Sequence, residues 1–324
     1  MKIAKKLLAL VMVLVLAVGM MAGCGNDVPD TVTEIINIGA LNGPTGMGMV
    51  QLMDMTDKYN VEMYQAPTDV TAKFINHEID VAAVPSNLAS VLYNKTEGDV
   101  VAISPIALGM LHILSNDVDL DDVKDLKGKT IVASGQGGTP EYVLQKVLED
   151  AGLTIYDDVQ VQWLSNHSEV NTKLLTVEGT IAMVPEPFVS TALAAGKDDV
   201  EDEFDLNVLW KEATGEDLPM GVLVARKSFV EERADDLKVL LYDLGNSVNF
   251  VNEKKDEAAK LIVEKGMIGK EAIAKAAIPN CHIVLYAGDD AEAGKAMLKT
   301  FNETLFNMNK ASIGGKLPND DLYY

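Results

Sequence analysis

Two glycine-rich turns are the first places in this 324-residue chain where ligand chemistry can be looked for. Asn42-Gly-Pro-Thr-Gly-Met-Gly48 and Ser134-Gly-Gln-Gly-Gly-Thr139 each follow an apolar stretch and precede a helix-forming one. A turn so placed offers unpaired backbone N–H groups and the positive end of a helix dipole. Neither carries the Lys-Ser/Thr that follows the glycines of a nucleotide P-loop, and neither spells G-x-G-x-x-G. Two shorter segments, Pro85-Ser86-Asn87 and Pro185-Glu186-Pro187-Phe188, close short apolar runs in the same manner. None of the four contains Lys or Arg, and one contains Glu186. The candidate binding residues are therefore Asn42, Thr45, Gly46, Met47, Pro85, Ser86, Asn87, Ser134, Gly135, Gln136, Gly138, Thr139, Glu186 and Phe188. Helix N-termini at Thr45 and Thr139 would take polar acceptors of a ligand, while Asn42, Asn87 and Gln136 orient it. Glu186 favours an N–H or cationic edge, as on a nitrogen heterocycle; the alternatives are an anion held by helix N-termini, with Glu186 a solvated rim carboxylate or a helix-start residue.

Other reactive residues point to less. Ser86 and Ser134 have no histidine nearby in sequence, and a spatial partner from His112 or His167 stays open. Cys281 and His282, between Pro279-Asn280 and the apolar Ile283–Tyr286, read as a buried thiol at a strand start. Two cysteines (Cys24, Cys281) exclude a disulfide framework and a Cys-rich zinc site, and the four histidines form no close ligand pair. No cofactor or metal is expected. With 49 acidic against 27 basic residues the net charge is −22, which repels phosphate backbones and excludes nucleic acid as a partner.

The elements that must position the four loops form a unit written twice. Val70, Lys73, Glu78, Ala82, Val84, Pro85 and Ser90 recur without a gap as Val170, Lys173, Glu178, Ala182, Val184, Pro185 and Ser190. Each copy reads as an amphipathic helix, a short strand (Val81–Val84, Ile181–Val184), a Pro loop and another helix. Upstream, a strand over Glu34–Ala40 leads to a helix over Met49–Tyr59. A strand over Thr130–Ala133 leads to a helix with Thr139 as N-cap, Pro140 as first residue and Gly152 as stop. Val100–Ile106 and Leu111–Ser115 carry the chain out past Gly109, and Gly221–Ala225 carries it back. Leu237, Leu240, Leu241, Leu244, Val248 and Val251 mark one face of a long helix. Ala258–Glu264 and Glu271–Ala277 are further helices, and the acidic stretch Asp198–Asp205 reads as a solvated loop.

Strands alternating with helices imply an α/β fold of two homologous Rossmann-like lobes with parallel sheets and a ligand cleft between them. Lobe 1 would be 34–107 with 222–324 and lobe 2 would be 108–221, hinged near Ile103–Gly109 and Pro219–Val222. At the start, a basic run and the apolar Leu7–Met21 make an export signal over 1–23. Met21-Ala-Gly-Cys24 resembles a bacterial lipobox, with Met in place of the usual Leu, so Cys24 is a lipidation site and 24–33 a lipidated tether.

The lipobox, the two lobes, Leu126-Lys-Gly-Lys-Thr-Ile131 and Val184-Pro-Glu-Pro-Phe188 together resemble solute-binding proteins of ABC importers. The resemblance, over about 34–324, is to the nitrate/sulfonate/taurine and thiamine-precursor-like group, which has the type II periplasmic-binding-protein fold. It implies a monomer without cofactor or enzymatic activity, lipid-anchored outside the cytoplasmic membrane, that hands a small-molecule solute to an ABC permease and its ATPase. The solute expected from Glu186 is a nitrogen heterocycle such as a thiamine-precursor-like pyrimidine; a sulfonate, taurine or nitrate-type anion is the alternative. A ligand sensor for a membrane receptor needs the same cleft, and a fold-sharing enzyme remains a third reading.

Overall fold

The computed structural model describes residues 28–324; the export signal and Cys24 lie outside the described residues. The first run is β1 (Ile36–Leu41), the single turn α1 (Pro44–Met47), β2 (Tyr59–Tyr64), α2 (Pro67–Ile75), β3 (Val81–Pro85), α3 (Ser86–Lys95) and β4 (Val100–Ala107). β5 (Leu111–Asn116) crosses into the second run. That run continues with β6 (Thr130–Ser134), α4 (Thr139–Asp150), β7 (Gln160–Leu164), α5 (His167–Thr176), β8 (Ile181–Pro185), α6 (Phe188–Leu193), β9 (Val200–Asp205) and α7 (Leu206–Thr214). β10 (Gly221–Arg226) returns, followed by α8 (Lys227–Glu232), α9 (Ala234–Glu253), α10 (Lys255–Glu264), α11 (Glu271–Ala277) and α12 (Ala291–Met308).

Two five-stranded sheets result, ordered β2-β1-β3-β10-β4 and β7-β6-β8-β5-β9. They are the same sheet twice, one per lobe. β1 is parallel to β2 and β3, as β6 is to β7 and β8. The crossing strands break the expected parallel pattern: β10 is antiparallel to β3 and β4, and β5 to β8 and β9. The reason is geometric. A strand that enters a lobe from the other lobe starts at the cleft, whereas its neighbours end there.

Apolar packing makes the lobes firm. Leu237, Leu240, Leu244, Val248 and Val251 of α9 are buried against Ile36, Ile38 and Leu223, together with Ile262 of α10 and Ala274 of α11. On the other face Val70, Phe74 and Leu92 pack on Val84 and Val222. In lobe 2, Val143, Leu144 and Val147 of α4 meet Ile131, Ile181 and Trp210. α12 joins both lobes. Its Leu298 lies in the lobe 1 cluster, whereas Phe301 and Leu305 lie in that of lobe 2, Phe301 at 5.8 Å from the Trp210 ring centroid.

Several local expectations are corrected. Met49–Tyr59 is no helix: after α1 the chain makes turns and a short 3₁₀ segment (Leu52–Asp54). A Cβ at Gly48 would stand 3.1 Å from Ile283, so this stretch is packed as a tight turn, and Tyr59 opens the edge strand β2. Asp198–Asp205 is not a solvated loop, since Val200–Asp205 forms β9 at the sheet edge, where outward carboxylates are tolerated. Ile283–Tyr286 makes only a single bridge, Ile283 to Ala107. The N-cap of α4 is Gly138, which leaves the Thr139 side chain for another partner.

Candidate functional site

β1, β3, β6 and β8 all end on the region between the lobes, so the four loops gather there. Ser86 opens α3 and is 1% exposed; its N–H donates to the Met220 carbonyl at 3.2 Å. Its hydroxyl has no partner among the described residues. Asn87, next to it, is fixed from two sides. Its Nδ2 donates to the Ser312 carbonyl at 3.1 Å, and its Oδ1 accepts from Thr139 Oγ1 of lobe 2 at 3.2 Å. The freed Thr139 hydroxyl thus bridges the lobes.

Across the cleft, Ser134 ends β6 and is 2% exposed, with its Oγ 2.6 Å from His167 Nδ1. His167 opens α5, whose N-terminus is capped by Asn166 accepting from the Glu169 N–H at 2.9 Å. Burial pushes the His167 imidazole down to about 4, so the ring is neutral near neutrality. Its other neighbour is the Phe188 ring, 5.7 Å away between centroids. Of the two spatial partners left open for the serines, His167 is therefore the one that reaches a serine. His112 instead faces Asp202, with Nδ1 3.0 Å from Oδ1. Burial pushes the His112 imidazole down, but Asp202 outweighs it and holds the ring above its ordinary value.

Glu186 is 1% exposed and fully engaged. Its Oε2 accepts from the Ser190 N–H at 3.0 Å. Its Oε1 accepts from Ser190 Oγ and from Asn280 Nδ2 of lobe 1, both at 2.9 Å. The carboxylate caps α6 and ties it to lobe 1. It is not the open group that a ligand N–H edge would need.

The remaining candidates divide. Met47 is wholly buried in the lobe 1 core, and a Cβ at Gly46 would stand 2.5 Å from the Leu41 carbonyl, so both shape the turn. Thr45 lies by the crossing, its Cγ2 being 3.2 Å from where a Gly221 Cβ would point, while Asn42 and Pro85 are half-buried. Gly135 and Gln136 are exposed and Gly138 half-exposed, and between them the Gly137 N–H donates to Glu141 Oε2 at 2.6 Å. Where the chain crosses between the sheets, a Cβ on Gly109 would collide with the Asn207 side chain. Asn207 is itself occupied, its Oδ1 accepting from the Leu218 N–H at 3.0 Å. Glycine is therefore required where the chain leaves lobe 1. Cys281 is buried as expected, and burial raises its thiol well above the ordinary value, which makes it unreactive. Among the described residues no His/Cys/Asp/Glu group has the arrangement of a metal site.

The site's donors are thus hydroxyls, amides and a neutral imidazole, gathered where the strands of the two lobes end facing each other. A family model described as "ABC transporter, phosphonate, periplasmic substrate-binding protein" matches residues 53–276. The chain belongs to this family. Solved structures agree on the fold of this phosphonate-type binding protein. An ABC transporter structure from Parabacteroides distasonis superposes with a TM-score of 0.75 at 20% identity, over 90% of this chain and 98% of that one. The periplasmic aliphatic sulphonate binding protein SsuA from Escherichia coli gives 0.67 at 16% identity, over 88% and 92%. The periplasmic nitrate-binding protein NrtA from Synechocystis PCC 6803 gives 0.63 at 12%, over 89% and 85%. No curated protein sequence matches the chain. The binding protein is accordingly an extracytoplasmic solute-binding component of an ABC transporter, with the type II fold. No helix among its described residues is long and apolar enough to cross a membrane.

Sequence reasoning missed Ser190, Asn280 and Ser312 as parts of the site, and left His167 only as one of two open partners for the serines. His167 stood in plain view after an N-cap asparagine, but nothing in the chain order ties it to Ser134, 33 positions earlier.

Proposed function

We propose that this binding protein captures a small organic oxyanion, phosphonate or sulfonate in type, and delivers it to an ABC permease while anchored through lipidated Cys24. The observation that carries the ligand reading is the Ser86 hydroxyl, buried between the lobes without a partner among the described residues. A buried unpaired hydroxyl costs about 1–3 kcal/mol, which a ligand oxygen would recover. Ser134 and the free N–H groups in the first turns of α3 and α4 supply further neutral donors, and the helix dipoles favour negative charge. The heterocycle reading needs Glu186 open to the ligand, and its three hydrogen bonds remove that support. The phosphonate-binding family, and the similar folds of a sulphonate-binding and a nitrate-binding protein, support the same reading.

In this reading the monomer closes as two bodies, 34–107 with 222–324 and 108–221, with α12 spanning them. A thermal-shift series should compare methylphosphonate, ethanesulfonate, taurine and nitrate with pyrimidines and purines. Stabilisation by the phosphonate or the sulfonates, weakened in Ser86→Ala, is the expected result. Stabilisation by the heterocycles alone would return the cleft to the first expectation. Palmitate labelling that disappears in Cys24→Ser tests the anchor.

A further inference from the structure

The chain just after the lipidation motif is fastened to one place on lobe 1. The Thr33 N–H and Oγ1 donate to the Asp236 carboxylate at 2.8 and 2.7 Å. Asp236, 2% exposed, also takes Arg233 Nε at 2.7 Å, and Arg233 reaches the Glu34 carbonyl. Before Thr33 the chain lies along α9. Val28 and Pro29 form one wall of a crevice of about 330 Å³ whose other wall includes Lys58, Val239 and Tyr242. This is the pole of lobe 1 where β1 and β2 begin, a full strand length from the cleft at their far ends.

The reach from this pole is short. Cys24 stands four positions before Val28, and a fully extended chain spans at most about 3.6 Å per residue, so roughly 14 Å separates them at the limit. Acyl chains at Cys24 would therefore hold the pole against the headgroups. The surface next to Val28 suits that place: Tyr242 is 58% exposed, an amphipathic ring of the kind found where one end is apolar and the other wet. One turn earlier on α9, Lys238 pairs with Asp235 at 2.7 Å and keeps its stem exposed. Asp30 and Asp243 line the same crevice, so the short tether and the apolar body of Tyr242, rather than charge, bring this pole to the membrane.

We infer that the α9 face of lobe 1 around Tyr242 is the membrane-apposed surface of the protein, so that lobe 1 is the fixed lobe and lobe 2 the one that swings. The inference rests on the lipid anchor at Cys24. Its test uses the full chain purified from membranes and placed in phosphatidylethanolamine–phosphatidylglycerol vesicles carrying a headgroup nickel chelate. Single nitroxides go on Tyr242→Cys or on Tyr156→Cys, an exposed site on lobe 2; buried Cys281 does not compete. Nickel should relax the label at 242 several-fold more strongly than that at 156. A Gly-Ser linker of about ten residues after Asn26 should abolish the difference by adding roughly 15–20 Å. Equal relaxation at the two sites in vesicle-bound protein, or the reverse order, would overturn the surface while leaving the anchor. Nitroxide uptake by Cys24 itself, with no flotation on vesicles, would overturn the anchor and the surface with it.

Discussion

β3 and β8 end in the same way, Val84-Pro85 and Val184-Pro185, in equivalent places of two equivalent sheets. The residues after each proline differ. Ser86 and Asn87 open the ten-residue α3, whereas Glu186 and Pro187 precede the six-residue α6. Both ends reach the opposite lobe, Asn87 to Thr139 and Glu186 to Asn280. Yet Glu186 is saturated with donors, while the Ser86 hydroxyl has none among the described residues. Duplication thus kept the scaffold and let the two loops part: one became a fastening between lobes, the other kept an open valence. A loop's role is read from which of its polar atoms are already satisfied, since only the others gain by meeting a ligand.

That contrast can be broken in graded steps. The largest effect is expected where lobe 2 depends on an element with no twin. Trp210→Ala should cost about 3–5 kcal/mol in urea unfolding, because it empties the wholly buried site against Phe301 of α12. A loss below about 1 kcal/mol would show that α12 is held to lobe 2 by other contacts.

His167 gives the start of α5 an acid sensitivity that the matching start of α2 in lobe 1, occupied by Pro67, lacks. Burial lowers its folded value to about 4, below the ordinary 6.5. Between those values the unfolded chain binds a proton that the folded chain refuses, so stability falls as pH falls from 6.5 towards 4, by at most about 3 kcal/mol. Chemical denaturation of His167→Asn at pH 7 and pH 5 should show a smaller difference than the wild type. An identical difference would mean that the imidazole is not desolvated.

Glu186 and Ser86 should separate stability from affinity. Glu186→Ala leaves the Ser190 N–H, Ser190 Oγ and Asn280 amide without their acceptor, and should destabilise by roughly 1.5–3 kcal/mol. Asn280→Ala cuts only the bridge between lobes. X-ray scattering should show its radius of gyration increased, with an unchanged far-ultraviolet spectrum, and binding weakened about ten-fold as the closed population falls. Ser86→Ala is the opposite case: removing an unpaired buried hydroxyl should not destabilise the free protein and should stabilise it by up to about 1–3 kcal/mol, while affinity for the bound oxyanion falls roughly two- to ten-fold. If Ser86→Ala destabilised as much as Glu186→Ala, the contrast between the loops would collapse.

Much of this architecture was legible along the chain. Central strands are continuous apolar runs bounded by turns, as in Val81–Val84 and Ile181–Val184, and α9 shows its buried face at helical spacing. Edge strands were not legible. Val200–Asp205 carries its acids outward and looks like a loop until β5 pairs with it, and the start of β2 at Tyr59 reads as the end of a helix over Met49–Tyr59 that the packed turn at Gly48 opposes. Edge strands take their identity from a neighbour's backbone, which local pattern does not encode.

The doubled α/β scaffold, the four loops at its strand ends and their lack of cations are written along the chain. Periodicity and repetition are local or periodic signals, and hydrophobic burial enforces them wherever the chain folds. Which loop atoms are spoken for is set by packing between distant segments. Asn280 meets Glu186 across 94 positions, and Ser312 meets Asn87 across 225. The first pair joins the two lobes and the second joins distant parts of lobe 1, and both are made by packing. Whether a carboxylate is open to a ligand or engaged by its own protein depends on the few ångströms that this packing sets, a distance that no spacing along the chain contains.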